Sequence, residues 1–105
     1  MKHELALRRI AQRIAAACDP EQIILYGSFA KGQATVDSDI DLLVVVAGEV
    51  RTRELAAELR ELVDGLPVPV DLKVMHKQRM EDRTQAPHGF LRSILSSGVI
   101  LYERS

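Results

Sequence analysis

Residues 23–46 read IILYGSFAKG (23–32), QATVD (33–37) and SDIDLLVVV (38–46), so two apolar runs flank a turn and a polar loop. The first run, with Gln22 before it, predicts a buried strand over 22–26, and Gly27 ends it with a residue that lets another group approach the backbone closely. Ser28 then stands near the start of a short helical turn predicted over 28–31. Free backbone N–H groups and the helix dipole favour an anion at such a position.

Two acidic residues stand at the start of the second predicted strand, 40–46. Because successive side chains of a strand alternate, Asp39 and Asp41 point the same way while Ile40 and Leu42 point the other way. Two carboxylates so placed repel each other unless a cation lies between them, and hard divalent cations prefer oxygen ligands. A phosphate-binding turn beside a pair of metal-binding carboxylates predicts chemistry on a nucleoside triphosphate.

The rest of the chain supplies elements that can surround this segment. Helical spacing over 2–18 predicts an amphipathic helix whose apolar stripe contains Leu7, Ile10, Ala11, Ile14 and Ala17. Further predictions are a helix over 51–64, a strand over 68–74, a weakly patterned segment over 77–86, a helix from Pro87 to Leu95 and a short strand over 99–101. Together they predict an α/β (α+β) fold with a mixed sheet of three or four strands flanked by helices.

Length and composition limit the classes of function. A chain of 105 residues is long enough for one core and too short for two, so residues 1–105 are predicted to form a single domain. Its net charge of -1 argues against binding to a long nucleic-acid tract. The single cysteine, Cys18, excludes an intramolecular disulfide. Neither a membrane span nor a signal peptide is evident, so the expected location is cytoplasmic.

The segment from Gly27 to Val46 strongly resembles the nucleotidyltransferase superfamily related to DNA polymerase beta, in particular its minimal MNT-type members. The resemblance rests on Gly27-Ser28, Ala30, Gly32, Ser38-Asp39-Ile40-Asp41 and the apolar run that follows. It implies a polymerase beta-like nucleotidyltransferase fold, ATP as substrate and Mg²⁺ as cofactor, with two ions expected. Lys31 departs from the pattern, because many relatives carry Arg there, and a phosphate would then meet a point charge in place of a planar fork.

The resemblance also implies a role for individual residues. Asp39, Asp41 and Asp71 are the expected catalytic carboxylates and metal ligands, and Asp71 is expected to take the proton of the acceptor. A competing interpretation of Asp71 is an exposed strand residue without a catalytic role. The expected nucleotide-binding residues are Gly27, Ser28, Lys31, Gly32 and Ser38, although an exposed lysine is often only solvated and Ser38 better suits support of the Asp39 backbone.

MNT-type domains often accompany a helical HEPN protein, and such pairs resemble toxin–antitoxin systems. By that resemblance the chain is expected to transfer AMP from ATP to a tyrosine of a HEPN-type toxin and so act as its antitoxin. Two alternatives remain open at this stage. One is a non-catalytic antitoxin that masks the toxin sterically, and the other is the nucleotide-binding subunit of a small-molecule nucleotidyltransferase with an aminoglycoside-like acceptor.

Overall fold

The computed structural model describes residues 4–84 and 89–105. In chain order its elements are α1 Glu4–Cys18, β1 Gln22–Tyr26, α2 Gly27–Ala30, β2 Ile40–Val46, α3 Thr52–Val63, β3 Val70–His76, α4 Lys77–Thr84, α5 Phe90–Ser97 and β4 Val99–Glu103. The bounds predicted for β1 and β2 agree with the structure. Of the predicted helix over 2–18, residues 2 and 3 lie outside the described residues.

The strands form one mixed sheet in the order β3-β2-β1-β4. Strand β1 is antiparallel to both β2 and β4, whereas β2 and β3 are parallel and are joined through α3. A parallel pair needs such a crossover, because the chain must return to the starting edge before the second strand begins. The architecture confirms the predicted α+β fold with a mixed sheet.

One face of the sheet packs against α1 and α3. Leu7, Ile10, Ala11 and Ile14 of α1 are buried there, as the helical spacing predicts, together with Leu59 and Val63 of α3. Ala17 is exposed, so its place on the predicted stripe was wrong. The stripe continues through Cys18, four residues after Ile14, and the half-buried Cys18 thiol donates to the Ile14 carbonyl oxygen at 3.4 Å.

The opposite face has a smaller core beneath α4 and α5. Its buried residues are Ile24, Tyr26, Leu43, Val45, Leu91 and Ile94, with Met75 and Met80 packed against them. Because β2 is covered on both faces, its side chains from Leu42 to Val46 are all buried. This second core ends at Tyr26, and the polar site described below begins beside that residue.

Most of the other predicted bounds shift by one or two residues. Helix α2 begins and ends one residue earlier than the predicted 28–31, α3 is one residue shorter at each end than the predicted 51–64, and β3 and β4 each end two residues later than predicted. Strand β3 begins at Val70, two residues later than predicted, because Pro69 has no N–H to donate, although its carbonyl accepts the Ile40 N–H at 2.8 Å. Residues 77–84 of the weakly patterned segment form helix α4, and residues 85 and 86 lie outside the described residues. The His76 ring accepts the Gln78 N–H at 3.2 Å at the start of the helix. Helix α5 begins at Phe90, and the predicted start at Pro87 lies outside the described residues.

Within the described residues, none of the helices combines the length and the apolar character needed to cross a membrane.

Candidate active site

The sheet register places three polar side chains next to one another. Tyr26 at the end of β1 is opposite Asp41 in β2, and Asp41 is opposite Asp71 in β3. Residues paired in this way lie on the same face of a sheet, with adjacent strands about 4.8 Å apart. The hydrogen bond from the Ile40 N–H to the Pro69 carbonyl extends the β2–β3 ladder to this end and fixes the register of the two aspartates.

The turn after β1 lies directly against the Asp41 carboxylate. Gly27 has φ +74°, a conformation that side chains other than glycine rarely adopt, and a Cβ placed on it would collide with Asp41 Oδ2. The glycine is therefore required twice, once by the backbone conformation and once by the close approach of the carboxylate. The structure thus brings the Gly27 turn against Asp41, one of the two aspartates that the sequence places near it.

Helix α2 supplies backbone donors beside the carboxylates. It has only four residues, Gly27–Ala30, and no side chain caps its N-terminus. The first N–H groups of a helix have no partner within the helix, so the turn presents donors to whatever lies in front of it. A helix of one turn has a small dipole, so the expected contribution to anion binding comes from these individual N–H groups and the half-buried Ser28.

The remaining predicted nucleotide-binding residues lie on the loop side of the turn. The exposed Lys31 and Gly32 follow α2, and Gly32 has φ +70°, which suits its predicted role of letting the loop turn. Ser38 is engaged inside the loop, since its hydroxyl accepts the Thr35 N–H at 2.8 Å. This bond fits the structural support that the sequence favoured for Ser38.

Charge and burial act on Asp41 in the same direction. Burial, and then the carboxylates of Asp71 and Asp39, raise the pKa of Asp41 above its ordinary value, and the ammonium of Lys73 lowers it in part. Burial and the charges of Asp41 and Asp71 also raise the pKa of Tyr26 to about 12. Tyr26 is thus neutral at physiological pH, and the carboxylates form a locally unfavourable concentration of negative charge.

The three carboxylates suit a hard divalent cation. Asp39 and Asp71 are exposed, and Asp41 between them is half-buried. As they stand, no three His, Cys, Asp or Glu side chains of residues 4–84 and 89–105 converge closely enough to hold an ion. The all-oxygen donor set and the mutual repulsion both fit Mg²⁺, which would relieve the repulsion on binding.

Two residues at the site escaped the sequence analysis. Tyr26 and Lys73 were each assigned only to a predicted strand. The signal was available, because Lys73 follows Asp71 by two residues and strand side chains alternate with a period of two. Lys73 acts on the Asp41 pKa, whereas Lys31, the predicted cation of the turn, is not among the charges that shift it.

The family model of the polymerase beta nucleotidyltransferase domain matches residues 8–105. The chain belongs to this family. The reaction expected at this site is therefore nucleotidyl transfer. Among curated protein sequences, none matches this chain significantly.

Several solved structures have the same fold. A protein from Sulfolobus solfataricus assigned as a nucleotidyltransferase has a TM-score of 0.61 and 22% identity, over 95% of this chain and 80% of its own. A toxin–antitoxin structure with AMP-PNP has a TM-score of 0.56 and 20% identity, over 92% and 73%. A Shewanella oneidensis complex of a tri-AMPylated HEPN toxin with its MNT antitoxin has a TM-score of 0.55 and 18% identity, over 97% and 73%. At these identities the similarity establishes the fold.

Proposed function

We propose that the chain, as one nucleotidyltransferase domain over residues 1–105, transfers AMP from ATP to a tyrosine of a HEPN-type toxin and so acts as its antitoxin. The observation that supports this most directly is the juxtaposition of Asp41, Asp71 and the Gly27 turn. Asp41 is paired with Asp71 across two parallel strands, and its carboxylate lies against the Cα of Gly27. A triphosphate lying along the turn would therefore meet the carboxylates with its α-phosphate.

Each residue has a task in this proposal. Gly27 and Ser28 bind the β- and γ-phosphates through backbone N–H groups and the serine hydroxyl, and Lys31 and Gly32 border the same turn. Asp39, Asp41 and Asp71 would hold Mg²⁺, with two ions expected. When bound, the metal neutralises the triphosphate and stabilises the attacking and leaving oxygens. Asp71, on the side of the site away from the turn, accepts the proton of the acceptor hydroxyl.

The acceptor is proposed from two of the similar structures. One contains AMP-PNP and the other contains a HEPN toxin that is AMPylated in complex with an MNT antitoxin. A tyrosine hydroxyl has an ordinary pKa near 10, so it is a weak nucleophile at neutral pH and needs a base or a cation beside it. The carboxylate at Asp71 and the cation site meet that need.

We further propose a cytoplasmic location for this reaction, where ATP is available.

The test uses a HEPN-type toxin as the candidate acceptor. Mass spectrometry after incubation with the chain, ATP and Mg²⁺ should show one or more added AMP groups on a tyrosine. The Asp39→Asn/Asp41→Asn double variant should add none. Asp37→Asn is the matched control, because Asp37 is an exposed loop residue with the same charge that lies outside the carboxylate cluster.

The outcomes separate the proposal from its alternatives. Added AMP that depends on Asp39 and Asp41 supports the enzymatic antitoxin. Neutralisation of the toxin by the double variant as efficiently as by the wild type, with no added mass, would establish steric masking. Transfer to an aminoglycoside and none to the protein would indicate a small-molecule nucleotidyltransferase.

A further inference from the structure

Lys73 shares the site face with the carboxylates. In the β2–β3 register Asp41 is paired with Asp71, and Leu43 with Lys73. Asp71 and Lys73 are thus two residues apart on one strand and point to the same side, about 7 Å apart along the strand. Both are exposed, and the positive charge of Lys73 lowers the pKa of Asp41 in part, as expected for an ammonium group on the same face.

The position of Lys73 differs from that of the phosphate-binding turn. Gly27 contacts Asp41 from the β1 side, whereas Lys73 belongs to β3, on the other side of Asp41. The carboxylates therefore lie between a turn of backbone donors and a lysine cation. If the turn binds the departing pyrophosphate, in-line transfer places the acceptor on the opposite side of the α-phosphorus, which is the side of Asp71 and Lys73.

We propose that Lys73 is a further catalytic residue, whose ammonium group binds the acceptor oxygen and stabilises its negative charge as the proton leaves. The inference rests on the proposed function and adds a residue to it. The acceptor O–H loses its proton to Asp71 while the oxygen forms a bond to the α-phosphorus. The bond from the α-phosphorus to the bridging oxygen breaks, and its electron pair leaves with pyrophosphate. Lys73 keeps its own proton throughout.

A lysine with this task differs from a lysine that only balances the acidic cluster. A balancing charge would affect the stability of the metal-free protein and become dispensable once Mg²⁺ is bound. A cation at the acceptor oxygen acts in the transition state at saturating Mg²⁺, and removal of one such electrostatic contact lowers kcat by roughly 10²–10³-fold.

The experiment compares Lys73→Met, Lys73→Arg and the control Lys77→Met, which removes an exposed lysine from the first turn of α4. At saturating ATP and Mg²⁺, Lys73→Met should lower kcat about 10²-fold and leave the KM for ATP within a few-fold. Lys73→Arg should recover part of the loss, and Lys77→Met should match the wild type. Thermal unfolding checks that each variant is folded.

A second measurement addresses the acceptor oxygen itself. With a fluorinated tyrosine in the acceptor protein, the hydroxyl has a lower pKa and depends less on a stabilising cation, so the loss caused by Lys73→Met should shrink. An equal loss with both acceptors would contradict contact with that oxygen. Equal kcat of Lys73→Met and an active wild type would contradict the role of Lys73 alone. A wild type that transfers nothing would contradict the proposed function and the inference together.

Discussion

The acidic residues at the two ends of the sheet have opposite surroundings. At the end where β1 begins, Arg104 Nη2 binds Asp19 Oδ2 and the Asp19 carbonyl oxygen, each at 2.7 Å, and Arg104 Nη1 lies 3.3 Å from Glu21 Oε1. The Tyr102 hydroxyl donates to Asp19 as well, at 3.2 Å. These contacts tie the segment after β4 to the turn between α1 and β1. At the other end, the Asp41 carboxylate lies against Gly27, and burial together with the charges of Asp71 and Asp39 raises its pKa.

The pKa values of Asp19 and Asp41 are shifted in opposite directions. Hydrogen bonding to Arg104 is the largest cause of the lowered pKa of Asp19, whereas burial and neighbouring carboxylates raise the pKa of Asp41. At the first end, Arg104 of the same chain contacts the carboxylates of both Asp19 and Glu21. The second end retains an excess of negative charge that a ligand cation would balance, a cost typical of functional sites. This difference indicates that the end with Asp41, and not the end with Asp19, is the candidate substrate-binding end.

The largest expected effect concerns Asp41. Asp41→Asn keeps the size of the side chain and removes one charged ligand from the middle of the cluster, so transfer should fall by about 10³-fold, equivalent to several kcal/mol of transition-state stabilisation. Single-turnover kinetics at saturating ATP and Mg²⁺ would measure it. Asp37→Asn, with the same change of charge four residues earlier, should retain wild-type rates. Equal losses in the two variants would mean that only the overall charge matters.

The next effect concerns Asp71, whose position beyond Asp41 suits a base for the acceptor. Asp71→Asn should slow transfer by roughly 10²-fold, the usual scale of general-base catalysis, while ATP affinity changes only a few-fold. Asp64→Asn, at an exposed position just after α3, is the matched control. Transfer at the wild-type rate in Asp71→Asn would support the interpretation of Asp71 as an ordinary exposed strand residue.

The two ends also differ in how far the sequence predicted them. Part of the site end could be predicted because strand alternation and a glycine turn are local patterns, and the structure does bring Gly27 against Asp41. The pairing of Asp41 with Asp71 depends on the register of two strands separated by a helix, and only the resemblance to a family suggested it. The Asp19–Arg104 contact joins residues at opposite ends of the chain, and no local pattern indicates it.

A pair of glycines tests how closely the turn approaches the carboxylate. Gly27 and Gly32 have similar φ values, +74° and +70°, but a Cβ would collide with Asp41 at the first and meet nothing within 4 Å at the second. Gly32→Ala should cost about 1 kcal/mol of unfolding free energy from backbone strain alone. Gly27→Ala should cost about 1 kcal/mol more and weaken ATP binding about tenfold, because the turn must move. Chemical denaturation and calorimetry would measure the two effects, and equal costs would contradict the close contact.

The smallest effect is the pH dependence of stability, and it should have opposite signs at the two ends. The raised pKa of Asp41 means that the folded state binds its proton more tightly than the unfolded state does. Its favourable contribution is complete below the ordinary pKa of an aspartate and is lost as the pH rises through the raised value. In metal-free buffer Asp41→Asn should therefore be more stable than the wild type at neutral pH, and this advantage should disappear in acid.

The lowered pKa of Asp19 gives the converse dependence. Its contribution is present above the ordinary pKa of an aspartate and is lost as the pH falls through the lowered value. Arg104→Met should thus reduce stability at neutral pH and lose its effect in acid, and salt should weaken it because the pair is exposed to solvent. Thermal unfolding of both variants across the same pH series would show two difference curves of opposite sign.

Mg²⁺ with ATP should stabilise the wild type and Arg104→Met alike and should stabilise Asp41→Asn far less, because ligand binding to the folded state raises stability only where the site is intact.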